Sequence, residues 1–171
     1  MKSFKDIEAG LTEIKWFDNI KDVADPKKPI CLNWLSYSGW MTYKLEKEYP
    51  NHTLKVTSES MGNKPQMLHD LSIDSLGFTR EIVISILENI SIFAQTYVPN
   101  STMDNNSWIM DLGEQPLGSM LSKIEGLERS DISFANLNVS GQEVLCRRSS
   151  FQIGSSFIYL VEAFLPNLNK A

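Results

Sequence analysis

Alternation of apolar and polar side chains governs the second half of the chain. In Phe78-Thr79-Arg80-Glu81-Ile82-Val83-Ile84-Ser85-Ile86, alternate residues face opposite sides if the segment is extended. Residues 77–87 and 90–98 read as two long strands joined at Glu88-Asn89, an antiparallel hairpin. Residues 127–137, 144–153 and 156–164 read as three more, with a tight turn at Gly154-Ser155. A shorter alternation at 53–57 predicts a strand, followed by a mobile polar loop over 58–70. Helical patterns are short. Residues 31–38 are apolar and broken at Ser38-Gly39, and residues 42–48 end before Pro50. Ser101 is placed to cap a helix through about Leu112, and Pro116 to open another through about Lys123. Residues 22–30 form a polar loop. The pattern predicts a single α+β domain over 1–171: an antiparallel sheet of six strands with helices on one face.

Two charges interrupt this pattern. One face of the first long strand reads Phe78, Arg80, Ile82, Ile84, Ile86. One face of the last reads Ile158, Leu160, Glu162, Phe164. A lone charge on a buried face costs several kcal/mol, on the order of 3–5 when a partner is lost, unless it is paired or solvated. Arg80 and Glu162 therefore either form a buried structural ion pair or face a shared pocket that takes a small polar anion. Arg147-Arg148, on another strand, reads either as a solvated edge pair or as a pair of which at most one can face the same pocket. Trp34, Trp40 and Met41 flank the break at Ser38-Gly39. They suit either the core or a lid over that pocket, with Gly39 as its hinge.

Composition narrows the function. The net charge of −5 argues against a broad nucleic-acid surface. No apolar h-region begins the chain, and the longest apolar stretch, 153–165, is interrupted by Gly154, Ser155, Ser156 and Glu162, so no membrane span is expected. The two cysteines, Cys31 and Cys146, suit a reducing cytoplasm. Cys146 reads as a structural thiol, while His52 and His69 read as surface histidines without metal-ligand spacing. Gly113, Gly118 and Gly126 are too scattered to cradle a phosphate.

A set of short words then occurs in order: Leu32-Asn33-Trp34-Leu35, Trp40-Met41-Thr42, Thr79-Arg80-Glu81-Ile82, Tyr97-Val98-Pro99 with Ser101-Thr102, Gln115-Pro116-Leu117-Gly118, Arg147-Arg148-Ser149, and Val161-Glu162-Ala163-Phe164-Leu165-Pro166. With these words, over roughly residues 30–167, the chain resembles chorismate pyruvate-lyase, or 4-hydroxybenzoate synthase. The resemblance implies a carbon–oxygen lyase that makes 4-hydroxybenzoate and pyruvate from chorismate, the former feeding quinone synthesis. It implies no metal and no cofactor, an internal site under two helical flaps, and product inhibition. By the same resemblance Arg80 binds the ring carboxylate, Glu162 meets the 4-hydroxyl, and backbone groups of Met41 and Leu117 assist at the carboxylate end. Ala94-Gln95 departs from the family's Gly-Arg, and the stretch 61–76 is shorter than its counterpart. The expected partners are chorismate and its product, with no nucleic acid, and the expected state is a monomer. The alternative is a non-catalytic domain of the same fold that senses a small aromatic acid for a transcription regulator. The residues before the match leave too little room for the DNA-binding module such a regulator needs.

Overall fold

The computed structural model describes residues 3–9, 11, 13–23, 29–166 and 168. The loop expected at 22–30 falls largely on 24–28, outside the described residues, and Pro29 already belongs to a helix. The strands are β1 Thr53–Asn63, β2 Leu76–Ile86, β3 Asn89–Pro99, β4 Glu128–Arg129, β5 Ser133–Val139, β6 Gln142–Ile153 and β7 Ser156–Phe164. The helices are α1 Phe4–Glu8, α2 Pro29–Leu35, α3 Met41–Glu48, α4 Asn100–Asn106 and α5 Leu117–Leu121. All strand pairs are antiparallel, in the order β1-β2-β3-β7-β6-β4, with β5 also on β6.

The α+β antiparallel class holds, with seven strands where the pattern predicted six. The extra strand comes from 127–137, which breaks at Ser130-Asp131-Ile132 so that its two parts pair with different stretches of β6. The first six residues of the supposed mobile loop at 58–70 are strand. β1 runs on to Asn63 against β2 and then gives way to a 3-10 turn at Gln66–Leu68. Its polarity reflects an edge position with exposed side chains, where strand pairing needs no apolar face.

Two smaller expectations are also corrected. The β2–β3 turn is Leu87-Glu88, not Glu88-Asn89, and both residues have positive φ, 50° and 64°. Two-residue hairpins favour that handedness because it matches the strand twist, although Leu and Glu adopt it at a cost. The helix expected from Ser101 begins at Asn100 with Pro99 as its cap residue and tightens into a 3-10 turn at Ser107–Asp111. Asp74 accepts the Ser101 amide instead, at 3.0 Å.

The sheet buries both faces. On one, Phe4 and Ile7 of α1, with Met67 and Leu68, cover Val83, Phe93, Tyr97, Cys146, Val161 and Ala163. Burial pushes the Cys146 thiol far up, in keeping with a structural role. The other face carries two apolar clusters, one under α2 and α3 (Trp34, Leu45, Ile82, Ile84, Phe164) and one under α4 and α5 (Phe78, Ile109, Leu121, Phe151).

A polar defect sits on the first face. Gln95 donates to Glu81 at 3.1 Å, and Glu8 of α1 lies beside both. Glu8 Oε1 and Gln95 Oε1 are buried without a partner among the described residues. Burial raises the Glu8 pKa above its usual 4.5, the Glu81 charge adds to the rise, and backbone donors oppose it. A carboxyl whose folded pKa is raised contributes its full stability below the unfolded value and loses it as pH rises through the folded value. Glu8→Gln removes the charge and supplies an N–H donor toward Gln95. It is expected to melt above the parent at pH 7–8, by about 2–4 °C per kcal/mol gained in a chain of this size, with the difference disappearing toward pH 4. Thermal melting of both proteins across this pH range measures the effect.

Candidate functional site

A pocket opens between the two clusters, floored by the sheet and roofed by the first turns of α3 and α5. Strand register assigns its polar contents. Arg80 on β2 faces Thr96 on β3, which faces Leu160 on β7. One row along, Ile82 faces Ala94, Ala94 faces Glu162, and Glu162 faces Arg147 on β6. Arg80 and Glu162 therefore share the pocket face but stand two strands and one row apart.

They are not each other's partner. Arg80, 1% exposed, donates from Nε to Glu59 Oε1 at 3.0 Å and from Nη2 to the carbonyls of Gly113 and Gln115 at 2.5 and 3.1 Å. The Arg80–Glu162 structural pair is thus excluded. Glu59 reaches its place through a β-bulge. Register shifts between Val56 and Ser58, so parity along β1 reverses and Glu59, rather than Ser58, stands opposite Arg80. The left-handed backbone at Gly113, φ 54°, turns the segment that brings two carbonyls to the guanidinium. Burial lowers the Arg80 pKa and Glu59 opposes that shift. With Nε and Nη2 engaged, Nη1 is the nitrogen without a partner among the described residues.

Glu162 is held from the β6 side. Arg147 Nε donates to Glu162 Oε2 at 2.6 Å, with both side chains buried. Arg147 Nη1 donates to the carbonyls of Trp34, Leu35 and Tyr37 at 3.2, 3.3 and 2.6 Å. Those carbonyls end α2, where the helix leaves its acceptors unsatisfied and its dipole favours a cation. Oε1 of Glu162 has no partner among the described residues. Arg148 faces the opposite side of the sheet and pairs with Asp70, so only Arg147 belongs to the pocket.

The roof separates the lid candidates. Trp40 and Met41 line the pocket, and Trp40 stacks on Phe151 with ring centroids 5.6 Å apart. Trp34 is a core residue stacked on Tyr49. Met41 and Leu117 open α3 and α5, and both line the pocket. The first turn of a helix leaves its amides without intrahelical acceptors. The two helices close on each other at Gly118, where a Cβ would lie 3.0 Å from Thr42 Oγ1. Outside, Tyr43 and Ser122 hydroxyls meet at 3.0 Å. Gly39 has no left-handed φ. Its small size admits the Tyr37 ring, whose hydroxyl would lie 2.5 Å from an added Cβ. Ala94 lines the pocket, whereas its neighbour Gln95 belongs to the polar defect on the opposite face.

Three contributors, Glu59, Arg129 and His52, escaped sequence reasoning, and a fourth, Arg147, was left undecided between it and Arg148. Glu59 lay in the presumed loop. Arg129 and His52 also line the pocket, and His52 is anchored by its Nδ1 on the Tyr49 carbonyl at 2.8 Å rather than being a plain surface residue. The choice of Arg147 over Arg148 could have been made from the sequence. A two-residue turn at Gly154-Ser155 pairs Ile153 with Ser156, and counting back along both strands places Arg147 opposite Glu162.

Arg147→Ala would strand the buried Glu162 carboxylate and three carbonyls. A loss of about 3–5 kcal/mol in urea unfolding is expected, with Arg147→Lys between the variant and the parent.

Comparison with known proteins bears on this geometry. The C-terminal domain of a histidine utilization repressor from Pseudomonas syringae superposes with a TM-score of 0.53 at 13% identity, over 68% of this chain and 93% of that one. The shared feature is the fold. A chorismate pyruvate-lyase of Pectobacterium carotovorum is 28% identical over 171 residues, covering 94% of this chain and 89% of that protein. A protein of Shewanella loihica named probable chorismate pyruvate-lyase is 30% identical over 172 residues, covering 92% and 90%. The sequence pattern of the chorismate lyase family matches residues 11–170, which reaches further toward the N-terminus than the motif words do. This chain belongs to the chorismate lyase family.

Proposed function

We propose that this protein is a chorismate pyruvate-lyase that holds its ligand between Arg80 and Glu162. The observation that carries the reading is the separation of those two side chains. Each is buried on the pocket face with its own protein partner, and each keeps a polar atom without a partner among the described residues: Nη1 of Arg80 and Oε1 of Glu162. A flat ring with a carboxylate at one end and an oxygen at the other suits that spacing. Family membership and the named relatives support the reaction class.

Chorismate loses its C3 enolpyruvyl ether and its C4 hydrogen. The C3–O bond breaks, a proton leaves C4 and one is gained at the enolpyruvyl methylene, whether by direct transfer or through Glu162, and the products are 4-hydroxybenzoate and pyruvate. Substrate and products balance atom for atom, so no oxidant or reductant is consumed, and aromatisation drives the step. Arg80 contributes its Nη1 to the ring carboxylate, with the amides of Met41 and Leu117 at the same end. Glu162 Oε1 holds the 4-hydroxyl and can exchange a proton as C4 is deprotonated. Arg147 fixes the carboxylate in place through Oε2. The apolar roof excludes water, which strengthens the charged contacts beneath it.

Protein incubated with chorismate alone is expected to give equimolar 4-hydroxybenzoate and pyruvate above the spontaneous rate. Folded protein without turnover would favour the sensor reading. Arg80→Ala and Glu162→Gln are expected to fail differently. The first should weaken 4-hydroxybenzoate binding by about 2–5 kcal/mol in calorimetry. The second should lower turnover more than product affinity. Equal product binding by Arg80→Ala and the parent would refute the anchor.

The same roof that excludes water must open to release product. Product release, rather than ring chemistry, is expected to limit turnover. Rapid mixing with excess chorismate should give a burst approaching one 4-hydroxybenzoate per site, then a slower steady rate. Linear formation from the first turnover, without inhibition by added product, would show that the roof does not retain it.

A further inference from the structure

We infer that Arg129 is the binding site for a second carboxylate, the one on the enolpyruvyl arm that leaves as pyruvate. The inference rests on the chorismate reading above. Chorismate is a dianion, and its ring carboxylate is accounted for by Arg80. The enolpyruvyl carboxylate departs with the fragment cleaved from C3, so 4-hydroxybenzoate lacks it. A site serving both substrate and product therefore needs one cation that the product does not use.

The pocket contains one. Arg80 is paired with Glu59 and Arg147 with Glu162. Arg129 lines the same pocket, half-buried, and among the described residues no carboxylate lies within ion-pair distance of it. Its protein contacts are neutral. Nε donates to Ser149 Oγ at 3.1 Å, Nη1 donates to the Ser38 carbonyl at 3.1 Å, and the guanidinium lies 5.3 Å from the centroid of the Phe151 ring. Nη2 has no protein acceptor among the described residues. These contacts fix the plane of the guanidinium and leave one nitrogen for an anion. Burial lowers the Arg129 pKa, Arg147 lowers it further, and Glu162 opposes them, so a second anion would relieve an existing repulsion.

Position agrees with this role. Arg80 is on β2 and Arg129 on β4, with β3, β7 and β6 between them, four strand spacings or about 19 Å of backbone. The two side chains point into the pocket from opposite walls, while Glu162 rises from β7 between them. A ring anchored at Arg80 with its C4 oxygen at Glu162 has its C3 substituent beside Glu162, free to reach toward the β4 wall. Ser149 shares the Arg147 face of β6 and holds Arg129 in place.

The test separates substrate from product in one variant. Arg129→Gln is expected to raise KM for chorismate by about 30-fold or more, as loss of a charge-assisted contact to a carboxylate does, while Kd for 4-hydroxybenzoate stays within about twofold of the parent. Arg129→Lys keeps the cation but not the planar fork. It is expected to raise KM by about three- to tenfold, again with product affinity unchanged, and it carries the test should the glutamine variant fail to fold. Calorimetric product binding doubles as the folding control. An unchanged KM, or a KM and a product Kd that rise by the same factor, would overturn the assignment and leave Arg129 as a tether for the Ser38 carbonyl. A parent protein that binds 4-hydroxybenzoate but never converts chorismate would overturn the enzyme reading and, with it, this one.

Discussion

The 2.6 Å contact between Arg147 and Glu162 is the constraint on which the pocket depends. Both groups are buried on a face that is otherwise largely apolar, so neither could stay charged there alone. Their pairing across β6 and β7 makes a carboxylate tolerable on the pocket floor. It also occupies only one of the two Glu162 oxygens. Nη1 of Arg147 reaches three carbonyls at the end of α2, so a single side chain ties the floor to the helix that precedes the roof.

Arg80 follows the same logic at the other end. The bulge in β1 delivers Glu59 to its Nε, and the Gly113 turn delivers carbonyls to its Nη2. Each charge is stabilised by the chain and remains short of saturation. Two opposite charges facing one cavity would attract each other if they could meet. Separate partners, two strand spacings apart, keep them from collapsing together. The cavity persists because satisfying each charge locally lowers the incentive to close it.

Much of this was legible from the chain. Period-two alternation located β2, β3, β6 and β7 and singled out Arg80 and Glu162, because a charge on an apolar face is informative in a way that an exposed charge is not. The β6–β7 turn at Gly154-Ser155 even encoded the Arg147–Glu162 pair through simple counting. β1 was half missed, since an edge strand with polar side chains carries no signal that separates it from a loop. Its bulge at Thr57, and hence the identity of the residue opposite Arg80, depends on pairing that no local pattern reports. Arg129 was hidden for a related reason. β4 is two residues long and gains its meaning only from the neighbour it pairs with. At the roof the pattern left Trp34, Trp40 and Met41 open between core and cavity, because an aromatic near a helix break can face either; Trp40 and Met41 line the cavity and Trp34 lies in the core.

The central claim is that Arg80 and Glu162 hold opposite ends of one aromatic ligand while keeping their own protein partners. A crystal structure of the protein soaked with 4-hydroxybenzoate tests it most directly. The account predicts the carboxylate at Arg80 Nη1 beside the first turns of α3 and α5, the 4-hydroxyl at Glu162 Oε1, and both the Arg80–Glu59 and Arg147–Glu162 bonds intact. A ligand bound in the reverse orientation, or outside this pocket, would contradict it.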